Sequence, residues 1–502
     1  MKKTVSLFLA LLLLTLSAAG CSEKTSEGDP GTGAGNAQTG GEAAPAAGED
    51  EPETAAGEER VDPGLPADLD FGGHVFTIMN NDYSIPVWSQ IDIGAEEMTG
   101  EAINDAVYTR NASVADRYNC TVASRKTLNL PGDLSVAVKA GDDSVDLATV
   151  HLRSFADHAQ EGLYVELHTV STMDMTKPWY DHNSVEELSI KHKLYGAATD
   201  ITLMDKQATT AMVFSKPLYE DYGFAAESSF YDLVKEGRWT YEKLYSMATS
   251  VSSDLNGDGK RTEDDLYGLL YQRDTLTSLL NGFGISVMTK NADDVPEPTL
   301  MNPEGVDVLD RIFDLIYQRD YCMNVMSYFG ESFWSDKMVG MFEESKSLLM
   351  WIRLADVENL RTMDIDFGIV PVPMMNEGQG EYFSSVNPYV GTVTCMPRSN
   401  YDPESTGWFI EALASESHYA VLPEYYEINL KGKVARDQES RDMLDLIFGN
   451  RIYDLGQIYD PGDFANTLIY MTMTDDRDVA SKWAKTEKMV NKVLEKMLAK
   501  FE

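Results

Sequence analysis

Positive charge is scarce in this sequence. Its 502 residues include 41 Lys and Arg but 82 Asp and Glu, which gives a formal net charge of −41. Nucleic-acid binding and electrostatic attachment to anionic lipid both depend on clustered cations, so the composition argues against both. A hydrophobic fraction of 43% and an aromatic fraction of 10% exclude a chain that is disordered throughout. The length is sufficient for a large core and for about two to four domain-sized units.

Cysteine and the common catalytic motifs are also scarce. After Cys21 only Cys120, Cys322 and Cys395 remain, without the short spacing that is typical of a zinc or redox site. We expect buried thiols; a single disulfide between two of the three cysteines is the alternative. No strand pattern is followed by GxGxxG, no GxxxxGK[ST], GxSxG or HExxH occurs, and the seven histidines form no spaced set of zinc ligands. The sequence therefore shows no enzyme motif.

The N-terminus has the pattern of an export signal. Two lysines precede an apolar run over residues 5–16, which is too short to span a bilayer as a stable helix. Residues 17–21 (SAAGC) resemble a bacterial lipobox, in which the signal is cut before a cysteine that becomes lipid-modified. We therefore predict a signal peptide over residues 1–20 and lipidation, with palmitate, at Cys21. Ordinary secretory cleavage near Ala19 is the alternative.

An acidic, low-complexity segment follows. Residues 22–70 contain 13 acidic and 2 basic residues, and Gly, Ala, Pro and Thr make up most of the rest. Such a composition forms no core and behaves as an extended coil. We predict that residues 21–70 are a disordered tether that accounts for −11 of the net charge. The lipid, and not the charge, would then hold the protein at the outer face of the bacterial cell membrane.

Strand and helix patterns alternate from Phe71 onwards. Hydrophobic periodicity predicts strands over 74–79, 120–124 and 145–150, and helices over 99–118 and 134–139. This βαβ alternation predicts an α/β fold with a mostly parallel sheet, whose ligands bind at the carboxyl ends of the strands.

One loop matches the twelve-residue calcium-binding register. Its ligand positions are occupied by Asp254, Asn256, Asp258, Lys260 (through its carbonyl oxygen), Thr262 and Asp265. Gly259 lies at the sixth position, where the sharp turn requires glycine. Helical patterns over 240–251 and 263–270 flank the loop. We expect a single structural calcium ion; the alternative is a surface loop rich in Asx turns.

Several segments, in order, resemble the extracellular solute-binding proteins of ABC importers, in particular the carbohydrate-binding, maltose-binding-like group (family 1). They are residues 145–167 (VDLATVHLRSFADHAQEGLYVEL), 194–224 (LYGAATDITLMDKQATTAMVFSKPLYEDYGF), 238–244 (RWTYEKL), 347–351 (SLLMW), 367–373 (FGIVPVP) and 387–415. Together they extend over most of residues 71–450.

The resemblance implies two discontinuous α/β lobes joined by a hinge, as in periplasmic binding proteins. Lobe 1 would contain residues 71–200 plus 391–435, and lobe 2 residues 201–390 plus 436–502. The implied function is capture of a polar solute, such as a sugar or oligosaccharide, by a monomer that delivers it to an ABC permease without chemical conversion. A calcium-stabilised surface glycan hydrolase and a sensing or adhesion module without a permease are the alternatives.

A sugar site needs aromatic platforms and a few polar groups that bond hydroxyls. Trp351 follows an apolar strand and corresponds to the cleft tryptophan of the resembled family. The candidate ligand-binding residues are Trp351, Arg353, Trp88, Asn81, Asp82, Tyr83, His151, Arg153, Trp179, Gln272 and Tyr389. Met350, Phe367 and Trp408 lie in apolar runs and are predicted to be core.

Overall fold

The computed structural model describes residues 60–82, 89–332, 334–357, 359–360, 364–432 and 437–501, which belong to one compact unit, Thr54–Glu502. The predicted signal peptide, Cys21, the first part of the predicted tether, Tyr83 and Trp88 lie outside the described residues. Within them, no helix is both long and apolar enough to cross a membrane.

Two separate sheets organise the fold. The strands are β1 His74–Asn81, β2 Cys120–Thr127, β3 Leu147–His151, β4 Thr210–Ser215, β5 Ser252–Ser253, β6 Leu266–Tyr271, β7 Met288–Lys290, β8 Pro296–Pro298, β9 Cys322–Asn324, β10 Ser347–Arg353, β11 Phe367–Val370, β12 Ser384–Ser385, β13 Thr392–Cys395 and β14 Arg451–Ile452. The first sheet has the order β13-β3-β1-β2. The second has the order β11-β4-β10-β6-β5, with β9 also paired to β6.

The first sheet is the parallel one. Strand β1 pairs in parallel with β2 and β3, and only β13 runs antiparallel to its neighbour β3. Every residue of β3 is buried, as expected for a central strand covered on both faces. The predicted strands and helices of this region are confirmed, with β2 and the second helix longer than predicted.

The second sheet is mixed. Strand β10 pairs in parallel with β6 but antiparallel with β4, and β11 is antiparallel to β4. Strands β4, β6 and β10 are buried along their whole lengths. Gly268 in β6 is required by packing, because a Cβ atom there would lie 1.8 Å from the carbonyl oxygen of Ala248.

Helices cover both sheets. They are α1 Ala102–Tyr118, α2 Leu130–Ala140, α3 Leu152–Gln160, α4 His182–Glu187, α5 Met204–Gln207, α6 Lys216–Asp221, α7 Phe230–Lys235, α8 Tyr241–Ser250, α9 Thr275–Gly282, α10 Pro303–Ile316, α11 Val325–Phe329, α12 Trp334–Glu343, α13 Leu354–Val357, α14 Pro403–Glu416, α15 Gln438–Gly449, α16 Leu455–Ile458, α17 Phe464–Met471 and α18 Val479–Leu498. Wider, π-type turns occur over Ser417–Val421 and Glu424–Gly432. Several helices begin at residues that favour a helix start. At the start of α10, the Asn302 side chain accepts a hydrogen bond from the amide of Gly305 at 2.8 Å, and Pro303 is the first helical residue.

The chain passes between the two sheets three times. The first passage, over residues 199–209, leads into β4, and the second, over 386–391, leads back to β13. These two segments are joined to each other by an antiparallel bridge between Thr209 and Val386. The third passage lies between α14 and α15, the latter of which packs on β11. The strands of each sheet fall within the corresponding predicted lobe, whose exact boundaries stay a prediction.

The end of the predicted tether contacts the folded body. Arg60 forms an ion pair with Glu416 at 3.1 Å, and its guanidinium lies 4.8 Å from the ring centroid of Tyr419. Lys177 donates to the carbonyl oxygen of Asp62 at 2.7 Å. Among the described residues, contacts with the body therefore already occur at Arg60 and Asp62, before its predicted start at Phe71.

The expectation of buried, unpaired thiols is confirmed for the described residues. Cys120, Cys322 and Cys395 are all buried and form no disulfide. Met350 and Phe367 belong to the core as predicted, whereas Trp408 is only half-buried.

Candidate functional site

A small cavity, which we call the cleft cavity, lies beside the second sheet and the second passage between the sheets. Its volume is about 10 Å³, and its walls come from β4, β10, the start of α9, the second passage between the sheets and the C-terminal helices. The lining includes Thr210, Asp274, Trp351, Asn387 and Tyr389. The cavity therefore combines residues from distant parts of the sequence in one place.

Trp351 forms an apolar wall of this cavity. It lies on the central strand β10, opposite Met212 of β4, and its side chain is fully buried. Its indole Nε1 has no hydrogen-bond acceptor among the described residues. An unsatisfied buried donor costs about 1–3 kcal/mol, so a ligand oxygen that accepts from this N–H would be favoured.

Gln272 and Asp274 add polar atoms at the carboxyl end of β6. The Gln272 side-chain oxygen accepts from the backbone amide of Asp274 at 2.9 Å, while its Nε2 has no acceptor among the described residues. Asp274 Oδ2 accepts from Asn387 Nδ2 at 3.1 Å. Its Oδ1 is 3.4 Å from Arg273 Nε but receives no hydrogen bond from any described residue. The carboxyl end of β6 therefore carries one side-chain donor and one side-chain acceptor that have no hydrogen-bond partner among the described residues.

His151 and Arg153 approach from the first sheet. His151 ends β3, and its Nδ1 lies 2.8 Å from the carbonyl oxygen of Val390. Arg153 Nη1 contacts Asp460 Oδ2 at 3.1 Å, and the guanidinium lies 5.3 Å from the ring centroid of Tyr389. Burial raises the pKa of Asp460, and the positive charge of Arg153 partly opposes this shift. The cation beside the cavity is therefore already balanced by a carboxylate.

Other predicted site residues lie away from the cavity. Trp179 is fully buried and donates to Glu411 Oε2 at 2.8 Å. Arg353 forms an ion pair with Asp356 through Nη2 at 2.8 Å. Asn81 is buried at the end of β1, where its backbone amide donates to Gln90 Oε1 at 2.8 Å, and Asp82 is exposed beside it.

The sequence did not point to several residues that the structure brings to this region. They are Thr210, Ser385, Asn387, Gln457 and Asp460. Asn387 was inside a segment that carried the family resemblance, but Gln457 and Asp460 lie in short C-terminal elements with no periodic pattern. Nothing local in the sequence marks these residues as neighbours of Arg153.

Solved structures with the same arrangement were found by structural comparison, although no protein-family model and no curated protein sequence matches the chain. An ABC substrate-binding protein from Listeria monocytogenes in complex with cycloalternan has a TM-score of 0.55 at 12% identity, over 84% of this chain and 99% of that one. The chain has the fold of ABC-transporter solute-binding proteins. A solute-binding protein from Thermotoga lettingae bound with α-D-tagatose gives a TM-score of 0.53 at 14% identity, over 84% of this chain and 100% of that one. A family 1 extracellular solute-binding protein from Bifidobacterium longum subsp. infantis gives 0.52 at 14% identity, over 86% and 99%.

This solute-binding-protein fold confirms the predicted two-lobed α/β class. The cleft cavity lies near the carboxyl end of β6, and Arg153, which follows β3, contacts the ring of Tyr389 on its wall. The compared structures are described as binding proteins, two of them with a sugar bound.

The predicted calcium loop folds around its own backbone amides. Asp254 accepts from the amides of Gly257 at 2.6 Å and Gly259 at 2.8 Å. Asp265 is fully buried and accepts from the amides of Leu255 at 3.1 Å and Thr262 at 2.8 Å, which ties the two ends of the loop together. Among the described residues, no group of three or more His, Cys, Asp and Glu side chains is placed to hold a metal ion. Calcium binding stays a prediction.

The predicted flanking helices are half correct. Helix α8 precedes the loop, but the predicted helix over 263–270 is wrong, because Leu266–Tyr271 forms strand β6. All six residues of β6 are buried between its sheet neighbours, so tertiary pairing decides the conformation of a run whose periodicity is ambiguous.

Calcium should bind this loop weakly if the predicted register is correct. Chelator-treated protein is expected to bind Ca²⁺ with a dissociation constant of about 10⁻⁴–10⁻³ M, as in extracellular calcium modules, and to melt at a higher temperature with the ion. Isothermal titration calorimetry measures the binding. Asp258→Ala should abolish it, whereas Asp264→Asn, outside the ligand positions, should not. Absence of heat and of a melting shift would identify an Asx-turn loop.

Acid should destabilise the protein through His151. Burial lowers the pKa of this histidine from 6.5 to about 4, with the Val390 carbonyl opposing the shift. The unfolded state then binds more protons between these values, so stability is complete above pH 6.5 and decreases as the pH falls towards 4. The loss is at most about 3 kcal/mol. Urea denaturation measures the free energy of unfolding between pH 6.5 and 4. It should depend less on pH in His151→Gln than in the parent protein, and His182→Gln, at an exposed histidine, should behave like the parent. The same pH dependence in His151→Gln and the parent would contradict this assignment.

Proposed function

We propose that this protein captures a neutral, polyhydroxylated solute, a sugar or oligosaccharide, between its two lobes and delivers it to an ABC permease without converting it. The observation that carries the proposal is the composition of the cleft cavity. A buried indole whose N–H has no acceptor among the described residues lines the cavity together with Asp274, and Gln272, which is bonded to the Asp274 amide, adds a further donor without a described partner. This combination suits a ligand with apolar C–H faces and many hydroxyl groups.

The charges near the cavity favour a neutral solute. Arg153 is paired with Asp460, and Arg273 contacts Glu331 at 2.7 Å as well as Asp274. A charged ligand would have to displace one of these partners and leave a partly buried charge uncompensated, which is costly. Hydroxyl groups can instead use the remaining donors and acceptors without breaking an ion pair.

Entry of such a solute requires the lobes to separate. A cavity of about 10 Å³ is close to the space of one water molecule and far smaller than a monosaccharide. The passages over 199–209 and 386–391, which are bridged at Thr209 and Val386, are the segments about which the lobes would rotate. Binding then shifts the population between open and closed states, because the closed state contacts the solute from both lobes.

Attachment and delivery complete the proposal. The lipobox-like residues 17–21 and the acidic segment after them support a lipid anchor at Cys21 and a tether on the outer face of the cell membrane. A tethered, mobile binding protein can carry its solute to a permease in the same membrane. The structural likeness to substrate-binding proteins of ABC transporters supports this role.

A thermal-shift screen tests the function. Mono- and oligosaccharides, sugar alcohols, amino acids and peptides are each added to purified protein, and the solution is then analysed for products. A solute at 100-fold its dissociation constant stabilises the folded state by about 2.7 kcal/mol. A shift with a neutral sugar and without product supports the proposal. Turnover of a glycan would favour the hydrolase alternative, and a shift with charged solutes alone would contradict a neutral ligand.

A further inference from the structure

A second and much larger cavity is lined by residues between Pro178 and Lys206 and between His418 and Arg451. Its volume is about 650 Å³, within the range of about 300–1,000 Å³ that is typical of small-molecule sites. It opens to solvent near the exposed Glu427. None of its described lining residues also lines the cleft cavity, so it is a separate site.

A buried ion network, which we call the aspartate floor, borders this cavity through Asp181, Asp200, Lys206 and Arg451. It consists of Asp181, Asp200, Asp205, Lys206 and Arg451. Arg451 contacts one oxygen of Asp181 and one of Asp205, each at 2.7 Å. Lys206 contacts Asp200 at 2.9 Å and Asp205 at 3.1 Å. Three carboxylates therefore share two permanent cations.

His418 is the remaining partner of this network. Its Nδ1 lies 2.6 Å from Asp200 Oδ2, which is the geometry of a neutral imidazole that donates to a carboxylate as well as of an ion pair. Burial opposes ionisation of Asp200, but Lys206 and His418 together hold the pKa of this carboxyl below its ordinary value. The aspartate floor therefore holds one carboxylate more than it holds permanent cations.

Another part of the lining is aromatic and apolar, next to the acidic side chains of Glu427 and Asp445. The ring centroids of Tyr426 and Phe448 are 5.2 Å apart, and Leu422 and Pro423 continue this surface. The Arg451 guanidinium already lies 5.7 Å from the ring centroid of Phe448, so the wall accommodates a cation at its edge. Aromatic faces attract organic cations through the negative charge at the face of the ring.

We propose that this cavity is a second ligand site, which takes an organic cation with an apolar or aromatic body. The cationic group would lie towards the aspartate floor, and the apolar body would cover Leu422 and the two rings. An anion would be repelled by the carboxylates of the aspartate floor, because Lys206 and Arg451 are already paired with them. A neutral apolar molecule would supply no positive charge to the excess carboxylate of the floor. The site is independent of the solute proposed for the cleft.

The test compares two ligands of the same shape. Tryptamine carries an ammonium group at neutral pH, and tryptophol has a hydroxyl group in its place. Isothermal titration calorimetry of the full chain near pH 7.5 is expected to show tryptamine binding at least tenfold more tightly than tryptophol. Equal affinities, or no tryptamine binding at millimolar concentration, would overturn the proposal.

Variants locate the binding in this cavity. Leu422→Trp fills the space beside the aromatic wall and should weaken tryptamine binding at least tenfold. Leu128→Trp is the matched control, because Leu128 is 76% exposed on the first lobe and distant from both cavities in the fold. If Leu422→Trp does not fold, Phe448→Ala serves as the second variant and should also reduce the affinity. Unchanged tryptamine affinity in a folded cavity variant would overturn the assignment.

Discussion

Replacing Trp351 by Ala is expected to remove most of the affinity for the solute. The indole is part of the apolar lining of the cleft cavity, and its N–H is a donor with no acceptor among the described residues. Truncation of a central aromatic anchor typically costs at least about 2 kcal/mol of binding free energy, which is roughly a 30-fold loss of affinity. Titration with the strongest solute from the thermal-shift screen measures the change.

The loss of affinity must be separated from the loss of packing. Because the side chain is fully buried, Trp351→Ala should also lower the free energy of unfolding by about 3–5 kcal/mol. Trp351→Phe keeps an aromatic ring but removes the N–H, so we expect a smaller loss of affinity, of about tenfold. Tyr401→Ala is the control, because this tyrosine is 68% exposed. Unchanged affinity in folded Trp351→Ala would exclude this cavity as the solute site.

Replacing Asp205 by Asn is expected to destabilise the protein strongly. This carboxylate is fully buried and contacts both Lys206 at 3.1 Å and Arg451 at 2.7 Å. Removal of its charge takes one of two carboxylate partners from each buried cation, so that Lys206 keeps Asp200 and Arg451 keeps Asp181. Breaking a buried ion pair from one side costs about 3–5 kcal/mol, and we expect a value near the lower end because Asp181 and Asp200 remain.

Urea denaturation of the variant and the parent protein measures this effect. Asp264→Asn is the matched control: Asp264 is exposed, its nearest cation is 3.6 Å away, and no change in stability is expected. A loss below about 1 kcal/mol for Asp205→Asn would mean that the network is hydrated like a surface ion pair. The description of the aspartate floor as a buried ion network would then be wrong.

Much of the first lobe could be predicted from the sequence. The elements that the sequence predicted here are long or have a strong hydrophobic pattern; they are β1, α1 and β3. In each of them the apolar face that the pattern defines is buried against neighbouring strands or helices. The resemblance in ordered segments also pointed to two lobes and to Trp351, which lies at the cleft cavity. In these regions local pattern and tertiary environment agree.

Prediction failed where the local pattern permits two conformations. Residues 266–271 (LYGLLY) form a short apolar run that suits a helix or a buried strand equally, and the pairing of β6 with β5, β9 and β10 decides for the strand. Trp179 shows the same limit for function. An indole in a polar loop pattern can equally be core, and a buried Glu411 oxygen 2.8 Å from its Nε1 fixes it there.

The sequence by itself determined the acidic character, the export pattern and the α/β class, since each follows from composition, short motifs or periodicity. Only the tertiary structure decided which polar residues meet in the cleft and that a second cavity exists. Arg153 and Asp460 are neighbours, as are Asp205 and Arg451, although hundreds of residues separate each pair along the chain. The physical reason is that a local pattern reports which face of an element is buried, while the meeting of distant charges depends on how whole elements pack.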